Sequence, residues 1–357
     1  MPAKPLSLLG LSVCLLGMAH PASSQSAAPT APDLFDSSGD YEQAEDYPSA
    51  QDSAPVSERH WQREVKRALA EEQFARLDEI AAKYRADKSR LPGGEWQLQD
   101  FYSIVDSIGT TDAETEARIA LLHRWIAARP ESITPRVALG GVYHRWAWRA
   151  RGGSTADQVT LDGWRLFHQR LALGAQELTE AQKLHESCPH LYFEWLTLGL
   201  GQDWEPARMR ATFEQGVKAE PGYVLDYQLY ANYLQPKWDG QPGEASAFAK
   251  SAADRLGGVE GDMIYYQIAL ILIHHGNPGI SAKEMDWARI QRGYTATKER
   301  FGVTGRQENR MAYMAWKFRD AVFAEKQFQM LGGSWSKTVW HDRATFDKAR
   351  AWAAAHS

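Results

Sequence analysis

From Trp61 onward, large apolar residues recur every three or four positions. Trp61, Val65 and Leu69 form one series, and Phe74, Leu77, Ile80, Ala81 and Tyr84 a second. That spacing places each series on one face of an α-helix. Arg90-Leu91-Pro92-Gly93-Gly94 breaks the pattern, and Trp96, Leu98, Phe101, Tyr102, Val105 and Ile108 resume it. The stretch from Asp112 and Glu114 to Pro130 predicts another helix. No alternating β-branched run bounded by hairpin turns appears, so strand content near zero is expected. The most apolar stretch of the body, Met263 to Ile273, has only eleven residues and ends at His274-His275. A bilayer needs about 20, so it predicts a buried helix and no integral membrane segment in the mature chain.

The helices repeat. Pro130, Pro189 and Pro221 each precede an aromatic or aliphatic helical run, and the last two are 32 residues apart, close to a tetratricopeptide period. Phe193, Leu196, Leu200, Phe213, Gly216 and Pro221 fall near the aromatic, small and Pro positions of such a unit. A helix pair cannot bury its apolar face alone, so neighbouring pairs stack. The first Pro-to-Pro spacing is 59, which makes the repeat irregular. The predicted fold class is all-α, a Trp-rich, irregular, tetratricopeptide-like solenoid of helical hairpins.

The N-terminus follows a different logic. Lys4 precedes an uncharged apolar run, Leu6 to Ala19, and then small and polar residues, the order of a secretory signal peptide. Ala22 and Ser24 suit the positions before a cut, so residues 1–24 are expected to be removed, leaving a periplasmic or secreted chain. Leu11-Ser12-Val13-Cys14 is a poor lipoprotein site, because Val13 is large and Cys14 lies inside the apolar run. Residues 25–57, rich in Ser, Ala, Pro, Asp and Glu, cannot bury enough surface to offset chain entropy and predict a disordered acidic linker. The body is expected over 58–357, with a sub-boundary near 110–117.

Charge and composition narrow the function. Residues 33–58 hold eight acids and no Lys or Arg, whereas the chain from residue 59 holds 37 acids and 39 bases. A body of net +2 without a basic run gives no electrostatic case for nucleic acid. Of two cysteines only Cys188 survives processing, so no internal disulfide is expected. The 14 tryptophans are unusual. Either they fill gaps between helices, or some line an open groove and stack on sugar or peptide.

Three elements carry a resemblance: Tyr143-His144-Arg145-Trp146-Ala147-Trp148-Arg149-Ala150-Arg151-Gly152, Gly163-Trp164-Arg165-Leu166-Phe167, and Tyr233-Leu234-Gln235-Pro236-Lys237-Trp238-Asp239-Gly240. With Gly93-Gly94-Glu95-Trp96 before them, they make residues 60–340 resemble the bacterial family labelled domain of unknown function 4034. Asp239 stands where that pattern has Gly. The resemblance implies a helical, repeat-like body and no established activity.

The candidate binding residues are Trp146, Trp148, Arg149, Arg151, Lys237 and Trp238. On a helix, 146 and 149 share one face and 148 and 151 a neighbouring one. Arg stacks on Trp and still reaches a carboxylate, so the set suits anionic and aromatic groups. The same residues also suit a structural role, with indoles in the core and guanidinium groups paired to the next helix. Pro236 to Gly240 reads as an inter-helix loop plugged by Trp238. The Gly-Gly pairs at 93–94, 140–141, 152–153, 257–258 and 332–333 read as helix ends. His185, Cys188 and His190 cluster but lack a fourth ligand, so no metal is expected there. No nucleophile or phosphate-loop motif points to catalysis, and no cofactor is expected. Two functions remain: a non-catalytic module of the cell envelope that binds a protein or peptide, or a carbohydrate-active or carbohydrate-binding protein. The second needs exposed indoles flanking two close carboxylates.

Overall fold

The computed structural model describes residues 56–153, 155–238, 240–274 and 284–357, with side-chain surroundings from His60 on. The expected signal peptide and almost all of the expected acidic linker lie outside the described residues, as do Cys14, Asp239 and His275. Sixteen α-helices occupy the rest: α1 Val56–Ala70, α2 Phe74–Asp87, α3 Gln97–Val105, α4 Asp112–Ala128, α5 Thr134–Arg151, α6 Leu161–Ala181, α7 His190–Gly201, α8 Pro206–Ala219, α9 Val224–Tyr233, α10 Glu244–Leu256, α11 Gly258–Leu272, α12 Trp287–Phe301, α13 Gly305–Phe318, α14 Ala321–Leu331, α15 Lys337–Trp340 and α16 Arg343–His356. Among the described residues, β-structure is limited to one isolated bridge between Arg90 and Trp96.

Local chemistry sets the helix starts. Thr111 accepts from the Glu114 N–H while the Glu114 carboxylate accepts from the Thr111 N–H, a capping box that opens α4. Thr304 and Gln307 do the same for α13. Pro189 is the N-cap of α7 and Pro206 opens α8, where a missing N–H costs nothing. Consecutive helices pack against one another, α5 on α6, α7 on α8, α9 on α10, α11 on α12 and α13 on α14. α7, α9 and α11 begin at His190, Val224 and Gly258, a step of 34 residues each time. The tetratricopeptide period therefore holds over this part of the chain, and the long pair α5–α6 accounts for the wider spacing before it.

One large apolar core runs from Trp61 to Met314, taking in residues on both sides of 110–117. A smaller cluster of α13 to α16 surrounds Trp340 and Phe346. All 14 tryptophans lie among the described residues, and each is buried or half-buried, none exposed.

The Gly140-Gly141 pair is not at a helix end. It lies inside α5, where a Cβ on Gly140 would sit 2.4 Å from the Leu178 side chain and one on Gly141 2.4 Å from Asp106 Oδ2. Close approach of α6 and of a buried carboxylate, not capping, explains these two glycines.

The loop between α2 and α3 makes the longest-range contacts. Arg90 and Trp96 Nε1 both donate to the Gly222 carbonyl, at 3.1 and 2.8 Å. Gln267 of α11 donates to the Gly93 carbonyl at 2.5 Å, and the Gly93 N–H to the Gly302 carbonyl at 2.9 Å. A turn closed on itself by the Arg90–Trp96 bridge is thus held by the α8–α9 turn, by α11 and by the α12–α13 turn. Gly93 has φ of +89°, and a Cβ there would fall 1.5 Å from the Gln307 amide, so only glycine fits. Trp96 is fully buried in this contact, under the Arg90 guanidinium at 3.5 Å.

Candidate functional site

α5 carries the densest chemistry, and each of its polar side chains leads to a different neighbour. Trp146 and Arg149 share one face, as their spacing requires, and both meet Asp112 at the start of α4. The Trp146 indole donates to Asp112 Oδ1 at 2.8 Å and Arg149 to the same oxygen at 2.5 Å. Arg149 also donates to the Gly109 carbonyl, and Arg170 of α6 stacks 3.6 Å above the Trp146 ring while reaching Asp112 Oδ2 at 3.2 Å. Hydrogen bonds from Trp146, and then from Arg149, hold the Asp112 carboxyl below its usual range against the opposing effect of burial.

Trp148 and Arg151 face the other way. The Trp148 ring packs edge-on against Phe167 at 5.0 Å and against Trp238 at 6.2 Å and 82°. The Arg151 guanidinium lies 5.4 Å from both the Trp148 and Trp164 rings, and burial lowers its pKa. Lys237 is half-buried beside Trp238 in the α9–α10 turn. Trp148, Arg151, Trp164, Phe167 and Trp238 therefore form one clasp, uniting elements 90 residues apart, while Trp146 and Arg149 form a second with Asp112. The Nε1 groups of Trp148 and Trp238 are buried without an acceptor.

A third group, which the sequence did not bring together, lies deeper. Asp106 follows α3, His144 and Arg145 are on α5, His190 and Glu194 on α7, and Tyr223 is the N-cap of α9. The side chains of Asp106, His144, His190 and Glu194 are fully or almost fully out of solvent. His144 Nδ1 lies 2.5 Å from Glu194 Oε2, His190 Nε2 3.2 Å from Glu194 Oε1, and Arg145 2.6 Å from Asp106 Oδ2. His190 Nδ1 is 2.6 Å from the Tyr223 hydroxyl, and the Tyr102 ring stacks on the imidazole at 4.2 Å and 9°. Burial pushes the Glu194 carboxyl up, but His144 and then His190 outweigh it and hold the group well below the usual range. At Asp106 burial wins over Arg145 and the pKa is raised. Burial also raises Tyr223 and Tyr102 well above ordinary phenol values.

The His185-Cys188-His190 trio divides. His190 joins the deep cluster. Cys188 is buried with Sγ 3.3 Å from the Tyr102 hydroxyl, and His185 is exposed. His185 and Cys188 line a cleft of about 250 Å³ at the α6–α7 corner, with Ile133, Glu186, Leu191 and Tyr192. The one sequence signal for the deep cluster was the pair His190 and Glu194, four apart on a helix and hence on one face.

With α5 and its neighbours in place, the matched region can be read against the fold. Residues 62–187 match the family model of a domain of unknown function, DUF4034. The match takes in Gly93 to Trp96, Tyr143 to Gly152 and Gly163 to Phe167. The Tyr233 to Gly240 element lies beyond the DUF4034 segment and is joined to it by the Trp148–Trp238 contact. No curated protein and no solved structure matches the chain.

Proposed function

We propose that the chain is an exported, non-catalytic helical-repeat protein of the bacterial cell envelope that binds another protein or a peptide. What supports this reading is the α2–α3 loop, a turn closed by the Arg90–Trp96 bridge and held by groups of the α8–α9 turn, α11 and the α12–α13 turn. The stack already binds a polypeptide segment in cis, with backbone carbonyls and amides met individually. Stacked helix pairs offer such a surface repeatedly, which is how solenoids take extended partners. No helix among the described residues is long and apolar enough to cross a membrane. Export rests on the charge and apolar order of residues 1–24.

The carbohydrate reading is the weaker of the two. Sugar stacking needs ring faces open to solvent, and every indole is at least half covered by other side chains. The test uses residues 25–357, immobilised and exposed to periplasmic extract, with the retained protein then purified and titrated back. A saturable isotherm with one partner supports the proposal. Binding to an arrayed glycan without any saturable protein partner overturns it. N-terminal sequencing of chain recovered from the envelope fraction should read from Gln25, and an intact Met1 there would remove the export step.

A further inference from the structure

The deep cluster contains more ligating atoms than its internal pairs use. One donor atom from each of Asp106, His190 and Glu194 lies within 4.8 Å of the other two, and all three residues are buried. His190 Nε2 and Glu194 Oε1 are 3.2 Å apart, yet their geometry makes no hydrogen bond. Asp106 Oδ1 also accepts none. A plain ion-pair network would align an N–H of His190 on the Glu194 oxygen. Instead an imidazole nitrogen and two carboxylate oxygens converge within 4.8 Å of one another.

We propose that Asp106, His190 and Glu194 bind a divalent first-row transition-metal ion. One imidazole with two carboxylates suits zinc, manganese or iron, whereas calcium and magnesium select all-oxygen sets. The surroundings fit that of a metal site. When His190 Nδ1–H donates to the Tyr223 hydroxyl, the Nε2 lone pair is left facing the carboxylates, and the outer hydrogen bond orients the ligand. His144 occupies the second oxygen of Glu194 and Arg145 the second oxygen of Asp106, which leaves Oε1 and Oδ1 for the ion. Arg145 supplies one positive charge against the two buried carboxylates, and a bound cation would compensate the remainder. Three protein ligands leave a further coordination position, as catalytic zinc sites do.

The test uses the purified body stripped with chelator, then given zinc, manganese or cobalt(II) and passed through gel filtration. Elemental analysis should find about one ion per chain, as for a single built site, with a higher melting temperature than the stripped chain. Cobalt(II) should give visible d–d absorption. His190→Gln and Glu194→Gln, checked for helical content by circular dichroism, should lose the ion and the absorption. His185→Ala, at an exposed histidine beside the cleft, should keep both. Wild-type chain that retains no ion from any of the three salts overturns the proposal whether or not the variants fold. Folded His190→Gln with wild-type stoichiometry overturns it equally, because the ion then sits elsewhere.

Discussion

Truncating Trp148 and Trp238, singly and together, tests whether the two elements are a clasp or a binding rim. Their centroids are 6.2 Å apart at 82°, inside the edge-to-face range, so the pair should couple by about 0.5–1.5 kcal/mol beyond buried area. Trp148→Ala also loses the contact with Phe167 and the Arg151 stack. It should cost about 2–4 kcal/mol, somewhat under a fully buried indole. Trp238→Ala, which loses the ring contact with Trp148, should cost about 1–2 kcal/mol. Both indoles also bury an N–H without an acceptor, a penalty of about 1–3 kcal/mol that truncation relieves. Trp238→Phe, which keeps a ring and removes the orphan donor, should therefore be within about 1 kcal/mol of wild type. Urea unfolding followed by far-ultraviolet circular dichroism is the assay, because 14 indoles make fluorescence unspecific. A coupling energy below about 0.3 kcal/mol, within the usual additivity error, with single costs as small, would refute the clasp. The two rings would then be free to serve a ligand.

Three further expectations follow from particular positions. Gly293→Ala places a Cβ 2.0 Å from the Asp262 carbonyl oxygen and 2.7 Å from Tyr266 Cβ, so α11 and α12 must separate; a loss of about 1–3 kcal/mol or more should appear in urea unfolding. Burial, unopposed by a cation, raises the Asp226 carboxyl well above its ordinary value. The folded chain then holds a proton that the unfolded chain releases above about pH 4, so stability falls as pH rises from there towards the folded pKa. Asp226→Asn should match wild type below that window and exceed it at pH 7 by about 1–3 kcal/mol, and an equal difference at both pH values would contradict the assignment. A fragment ending at residue 187 should lack a cooperative thermal transition in circular dichroism, whereas residues 56–357 should show one.

How far the sequence could be read depended on whether a residue's role is local. Spacings of three and four located α1 to α4 because one stripe of each faces the core and the other faces water. Pro189 and Pro221 located corners because Pro suits a helix start or a turn and not a helix interior. The faces of α5 were also legible, 146 with 149 and 148 with 151, but the partners of those faces were not. Asp112, Arg170 and Trp238 lie 34, 24 and 90 residues from Trp146 or Trp148 and are brought in by packing. α7 is buried on nearly every side, so its pattern does not distinguish the face on which Glu194 lies. Gly140-Gly141 misled because a glycine pair that admits a neighbouring helix is spelled like one that ends its own.

The matched segment and the folded unit are therefore different things. Cutting at residue 187 would leave Asp106, His144 and Arg145 in place and remove His190 and Glu194, which face them. It would also remove Gly222, which accepts from Arg90 and Trp96, and Gln267 and Gly302, which hold Gly93. Buried charges stripped of one partner cost about 3–5 kcal/mol, a large part of the stability of a whole domain. The core gives the same answer, since one apolar cluster spans Trp61 to Met314 without regard to that limit. A recognisable stretch of 126 residues in this chain thus marks where the side-chain pattern is strongest. The parts that complete its buried chemistry are supplied by α7, α9 and α11, the helices that carry the 34-residue step.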